Sequence, residues 1–374
     1  MRATIFVATV LLAAFPAAAK KAPPPRPPVE QGQQQGPRPK VEVVFVLDTT
    51  GSMSGLIQGA KDKIWSIANH IVSGKPTPDV KIGLVAYRDR GDAYVTKKHG
   101  LTGDLDAVFE NLNAFRADGG GDTPEHVAKG LSDAIYGMEW SPNSMKMIFL
   151  VGDAPPQRYG DVDLDTLLRE ARKREIRVHA IRTGNDAMTQ IAWREIAKQG
   201  RGTYASIAQS GGVVAVATPM DAELAELGRK LGETAIVYGD DGTRSRVATK
   251  MGAAAAAPAP AAADRAGYYA KSHASVDEAD VLEAAASGAK PVEELRAEML
   301  PTEMKPMSGP EKKAYVQKKK ADRDAIVKQM NEVSARRDAY LKDQEGKRPG
   351  RSDGFDSVVT GAISEQGKAY GLAY

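Results

Sequence analysis

Two carboxylates and three hydroxyls carry the chemistry that can be read directly from this sequence. In VEVVFVLDTTGSMSG, residues 41–55, an unbroken apolar run stops at Asp48, and Thr50 and Ser52 follow at spacings of two and four. A second apolar run, KMIFLVGDAPP, ends the same way at Asp153. The loop ADGGGDTPEH adds Thr123 among glycines, with Pro124 placed to start a helix. A turn eased by Gly51 aims Asp48 and both following hydroxyls at one point, and a helix expected from about Met53 points its N-terminus there. An all-oxygen donor set of this kind is hard-ligand chemistry, suited to Mg²⁺, Ca²⁺ or Mn²⁺. The plainer alternative is that Asp48 caps a helix and Asp153 forms a turn, with no metal involved.

For these side chains to meet, both aspartates must sit at strand ends on one edge of a sheet. Short, dense apolar runs at 43–47, 81–86, 146–151 and 176–181 read as strands covered on both faces. Between them lie the amphipathic stretches SGLIQGAKDKIWSIANHIV, DLDAVFENLNAF, TPEHVAKGLSDAIYGM and DLDTLLREARKR. The segment IAWREIAKQGRGTYASI and the stretch 221–232 continue the alternation. That order predicts an α/β fold with a doubly wound, mostly parallel sheet, whose ligand site lies at the carboxyl ends of the strands. AYRDRGDAYVTKKHG breaks the pattern and predicts a hairpin, hence one antiparallel edge strand.

The flanks read differently. Residues 1–19, with Arg2, an apolar stretch of about a dozen residues and Ala17 and Ala19 at a small-residue end, have the form of a signal peptide cleaved after Ala19. The stretch is too short to span a bilayer, so the mature chain is expected to carry no transmembrane helix. An exported protein, periplasmic or secreted, is the expectation. Residues 20–40 are Pro/Gln-rich and read as an extended tether. The domain is expected over 41–240, an Ala/Pro-rich linker over 241–267, with helix as the alternative for part of it, and a helical region over 268–374. In that last region Ser275 is placed to cap a short helix, Ser308 to start a long one, and Phe355 to Tyr370 to form another. Ile326, Met330, Val333 and Tyr340 make a narrow apolar stripe. These C-terminal helices are expected to pack on the domain or to mediate assembly.

Composition narrows the function classes. A net charge of +3 over 374 residues argues against a nucleic-acid partner. The absence of cysteine removes disulfides, thiolate metal sites and a cysteine nucleophile.

Asp48-Thr50-Ser52 as D-x-T-x-S, then Thr123, then Asp153, resembles the metal-ion-dependent adhesion site of a von Willebrand factor A (VWA) domain. Thr50 is a variant that keeps the hydroxyl usual there. The resemblance implies that hydroxyls at the Thr50, Ser52 and Thr123 positions bind a divalent cation directly, Mg²⁺ first, with Ca²⁺ or Mn²⁺ as alternatives. It implies that Asp48 and Asp153 act through water, and that a partner protein's Asp, Glu or C-terminal carboxylate completes the octahedron. The implied role is cation-dependent protein–protein interaction in the cell envelope, not catalysis. With few anionic ligands such a metal stays electrophilic, which favours an incoming carboxylate.

Two other readings compete. A phosphatase of the haloacid dehalogenase type also ends its first strand in Asp, but needs a second acid two residues on, where this chain has Thr50. A structural envelope protein with an unused site is the other. The histidines at 70, 99, 126, 179 and 273 are scattered without zinc-protease spacing. His179 reads as a core residue, and His126 alone lies near the proposed site. The tripeptide at 90–92 fits the hairpin turn, from which Asp89 or Asp92 is placed to touch a partner. The lysines at 318–320 read as a solvated helix face.

Overall fold

The structure is a computed structural model and describes residues 38–120, 124–157, 159–160, 162–211, 216–272, 274–346 and 354–374. The expected signal peptide and nearly all of the expected tether therefore lie outside the described residues, as does His273.

The chain begins with β1 (Lys40–Asp48), whose alternate residues are buried on opposite faces, followed by a 3-10 turn at Gly51–Met53 and α1 (Ser54–Val72). Next come β2 (Asp79–Tyr87), β3 (Thr96–Thr102), α2 (Leu105–Ala114) and α3 (Val127–Tyr136). The alternation continues through β4 (Met145–Gly152), α4 (Leu164–Lys173), β5 (Ile176–Thr183), α5 (Ala187–Gln199) and β6 (Arg201–Ile207). Asp104, Asp163 and Asp186 each cap the helix they precede, accepting the backbone N–H of Ala107 (3.0 Å), Thr166 (3.0 Å) and Thr189 (2.6 Å). The helix expected from Pro124 starts at Val127 instead, because His126 takes the capping position through Nδ1.

The strands form one sheet in the order β3-β2-β1-β4-β5-β6. All neighbours are parallel except β2 and β3. This is the doubly wound sheet with one antiparallel edge strand that the alternation predicted. The edge strand itself, TKKHGLT, is polar and largely accessible rather than apolar, which suits a strand with one unpaired edge. Strand order reverses between β1 and β4, where the register pairs Leu47 with Val151. Asp48 and Asp153 therefore end up side by side at the switch point.

Phe45 and Phe149 stack on one face with centroids 5.6 Å apart, under α1, α2 and the later helices. Val44, Val46, Ile148 and Leu150 face the other way, under α3, α4 and α5. His179 belongs to the core, as its strand context predicted. It is 2% exposed, lies 4.9 Å from the Phe149 ring, and accepts the Thr203 N–H at 3.1 Å through Nδ1.

Beyond β6 run α6 (Asp221–Glu233), α7 (Asp241–Ala255), α8 (Ala259–Ser272), the short α9 (Leu282–Ala286), α10 (Gly309–Gly346) and α11 (Phe355–Lys368). The linker expected at 241–267 is thus corrected to two helices, and α8 is buried along most of its length against α1 and α6. The composition that looked like low complexity does two physical jobs. Pro260 sits in the first turn of α8, where a missing N–H costs nothing, and the alanines favour helix while allowing close approach to α1. The short helix expected at Ser275 is displaced to Leu282, and Asp277 instead turns inward.

Ser308 starts α10 as expected: its hydroxyl and its N–H both reach Glu311 Oε2 at 2.7 Å. The helical region and the sheet domain form one unit over 38–374. Within it, Ile236, Leu282, Leu300, Met304 and Val316 build a small separate core beneath the first half of α10.

Helix α11 packs on α1, β4 and β6, so the last helix of the chain finishes covering the sheet. Phe355 anchors it. The side chain is 1% exposed, its ring centroid lies 5.9 Å from that of Phe45, and its N–H donates to Gly211 O at 3.0 Å. Phe355→Ala is expected to cost about 3–5 kcal/mol, read as a lower urea midpoint with unchanged m-value.

Burial pushes the His179 imidazole down to about 4. The unfolded chain binds a proton below about 6.5 that the native state refuses, so stability falls as pH drops from about 6.5 to 4. His179→Asn, which keeps an acceptor for Thr203 N–H but cannot titrate, is expected to flatten that decline by up to about 3 kcal/mol in urea titrations at pH 4–7.

Candidate metal centre

Asp48, the last residue of β1, is fully buried. Its Oδ1 accepts both the N–H (2.9 Å) and the hydroxyl (2.7 Å) of Thr50. Its Oδ2 is buried and has no hydrogen-bond partner among the described residues. Burial, reinforced by the negative charge of Asp153, pushes the Asp48 carboxyl up to about 7 against the opposing pull of the Thr50 hydrogen bonds. Room for this carboxylate comes from Gly152. A Cβ there would lie 2.5 Å from the Tyr87 hydroxyl and 3.1 Å from Asp48 Oδ2. Burial and the charges of Asp48, Glu125 and Asp153 hold the Tyr87 phenol well above its ordinary range.

Thr50 is 3% exposed, and its hydroxyl proton is committed to Asp48, which leaves the oxygen lone pairs available. Ser52 lies in the exposed 3-10 turn, anchored from below by the buried Met53, whose sulfur accepts the Thr183 hydroxyl at 3.5 Å. Thr49 bolts the turn to β2. Its hydroxyl donates to Tyr87 O at 3.1 Å and meets the Tyr94 hydroxyl at 2.7 Å, while its carbonyl accepts Arg88 Nε at 3.1 Å.

Asp153 is half-buried. Its carbonyl accepts the Thr189 hydroxyl at 3.1 Å, and the next carbonyl, that of Ala154, accepts Trp193 Nε1 at 3.3 Å, so α5 holds the β4 loop in place. Asp153 Oδ2 accepts Gln209 Nε2 at 2.6 Å.

The structure therefore brings Asp48, Thr50, Ser52 and Asp153 to one edge. Thr123 lies outside the described residues. The described flanks of its loop touch both neighbours: Gly51 N–H donates to Gly119 O at 3.2 Å, and Glu125 N–H donates to Pro155 O at 3.0 Å. Among the described residues no three His, Asp and Glu side chains are grouped to hold an ion. What the edge offers instead is two carboxylates with hydroxyls, and the partnerless Asp48 Oδ2 in its glycine-made space fits a hard cation.

Asp89 is corrected as a partner contact. It is 4% exposed and accepts the Tyr159 hydroxyl at 2.6 Å, because the loop folds its carboxylate inward. Asp92 is tied down as well, accepting Asp89 N–H at 3.3 Å and Gly120 N–H at 3.2 Å. Arg90 is exposed, its guanidinium stacked 4.0 Å over the Tyr159 ring. His126 caps α3 and lies 4.7 Å from Tyr159. Sequence reasoning missed Tyr87, Glu125, Gly152 and Gln209. Gln209 follows β6 at the same carboxyl edge, and that position was the available signal.

Residues 42–219 match the family model of the von Willebrand factor A domain. The chain is 36% identical over 122 residues to von Willebrand factor A domain-containing protein 7 of Homo sapiens, covering 32% of this chain and 12% of that protein. It is 30% identical over 116 residues to the alpha-protein kinase vwkA of Dictyostelium discoideum, covering 31% and 18%. The chain thus spans less than a fifth of either relative. Among solved structures, it is similar to proximal thread matrix protein 1 of the mussel byssus with a zinc-occupied MIDAS motif. That likeness has a TM-score of 0.38 at 17% identity, covering 45% of this chain and 42% of that one. With the sheet order and the strand-end site in place, residues 42–219 carry both the sequence match and the sheet architecture of a VWA domain.

Proposed function

We propose that the strand-end site binds a divalent cation, Mg²⁺ foremost, and that through it the protein holds a carboxylate of a partner protein without turning it over. The observation that carries this reading is the buried Asp48 Oδ2, without a hydrogen-bond donor among the described residues and beside a second carboxylate. Leaving a buried carboxylate oxygen so placed is costly, and a bound cation removes the cost. Asp48 and Asp153 supply the negative field. Thr50 and Ser52 supply neutral oxygens, the Thr50 hydroxyl being oriented by Asp48, and Thr123 is assigned the same role from the motif. A divalent ion held there offers an electrophilic position to an incoming Asp, Glu or C-terminal carboxylate.

Export from the cytoplasm is part of the proposal and rests on the sequence of residues 1–19. Among the described residues no helix is long and apolar enough to cross a membrane. The phosphatase alternative lacks an acid at position 50, and its strand-end Asp48 is enclosed rather than presented as a nucleophile.

The test is a thermal melt of the full chain after EDTA treatment, with Mg²⁺, Ca²⁺ and Mn²⁺ restored separately. A cation at one hundred times its Kd stabilises by about 2.7 kcal/mol, so the melting point is expected to climb by several degrees. Asp48→Asn removes the buried charge while keeping its shape. It is expected to melt no lower than the wild type in EDTA and to lose the response to every cation. A wild type indifferent to all three ions would refute the cation-dependent reading.

A further inference from the structure

A side chain outside the motif joins the two halves of the site. Gln209, two residues past the end of β6, donates through Nε2 to Asp153 Oδ2 at 2.6 Å and to the Ser52 carbonyl at 3.1 Å. One amide thus ties the loop after β4 to the turn after β1. The fold makes space for it at two points. Gly184, at φ +67°, has no side chain where a Cβ would come within 2.5 Å of Gln209 Oε1, and a Cβ on Gly55 would press to 3.0 Å from Ser210 Cα. Asparagine, one methylene shorter, would not span both acceptors.

Building on the proposed cation site, we infer that Gln209 is a positioning residue that sets the site's preference for Mg²⁺ over Ca²⁺. With the amide bound to Oδ2, Asp153 is held so that Oδ1 is the oxygen turned toward a cation or its bound water, and the carboxylate is restrained from swinging both oxygens onto a larger ion. Mg²⁺ demands a tight octahedron of single-oxygen ligands, whereas Ca²⁺ takes six to eight oxygens and readily uses both oxygens of one carboxylate. Holding Asp153 to one oxygen therefore penalises the larger ion selectively. The hydrogen bond to the Ser52 carbonyl stops the turn from opening to admit a wider coordination sphere.

The test is isothermal titration of the full chain with MgCl₂ and with CaCl₂, comparing wild type, Gln209→Ala and Gln209→Glu. The readout is the ratio of the Ca²⁺ Kd to the Mg²⁺ Kd. Removing an outer hydrogen bond to a metal-binding carboxylate typically costs about tenfold or more in affinity. In Gln209→Ala that loss is expected to fall on Mg²⁺, so the ratio drops about tenfold. Gln209→Glu keeps the length, removes the donor and adds a carboxylate, so its ratio is expected to drop at least as far. It also provides the reading should Gln209→Ala fail to fold. Equal weakening toward both ions, or an unchanged ratio in the folded variants, overturns the inference while leaving the cation site standing. A wild type that binds neither ion overturns the proposed function and this inference with it.

Discussion

A buried carboxylate beside a second carboxylate is the constraint around which the sheet edge is organised. Asp48 has no solvent, and half of its hydrogen-bonding capacity is used by Thr50. The fold could have relieved this with an arginine or lysine donor. Arg88 lies close enough to lower the Asp48 pKa, yet it spends its donors on the Thr49 and Arg116 carbonyls. The surrounding structure keeps the two acids together instead. Parallel pairing of β1 with β4 sets their register, Gly152 removes the side chain that would separate them, and α5 pins the Asp153 backbone. Burial and this crowding of two acids together raise the Asp48 carboxyl, the kind of perturbation that clusters at functional sites.

The helical region meets the domain through a different use of charge. Lys250, fully buried on α7, pairs with both Asp104 and Asp277. Arg265 on α8 forks onto Asp106 at 2.7 and 2.5 Å. Arg337 on α10 bridges Asp221 (2.7 Å) and Asp264 (2.6 Å), and Arg323 reaches Asp280 at 2.7 Å and the Thr234 hydroxyl at 2.8 Å. Pairs like these contribute little net stability over apolar packing, but a missing partner is expensive. Their effect is to make one docking geometry far better than its neighbours. Asp104 shows the economy of the arrangement, since it caps α2 with one oxygen and receives Lys250 on the other.

Those buried cations also explain why the stripe on α10 looked narrow. Met330 and Val333 are buried and Ile326 packs partly buried beside them, and Arg323 and Arg337 extend the same face at three- and four-residue spacing. Counted as apolar or polar, arginine falls on the wrong side, although its stem and its paired head are buried here. The Ala/Pro tract at 241–267 hides its helices for a related reason. Small side chains look uninformative along the sequence, yet they are what lets α8 lie close to α1.

The sequence by itself determined the strand and helix alternation, the antiparallel edge, the carboxyl-edge placement of Asp48 and Asp153, and the start of α10. Each of these depends on spacing within one segment, or on a topological rule that holds for any sheet of this type. Tertiary structure alone decided that Asp89 turns inward and that Gln209 bridges Asp153 to the Ser52 turn. It also decided that Lys250 meets Asp104, 146 residues away, and that the final helix closes the sheet. None of these has a local signature. A side chain's partner is set by which distant group arrives opposite it, and in a desolvated interior that partner decides whether a polar residue is a defect, a latch or part of a binding site.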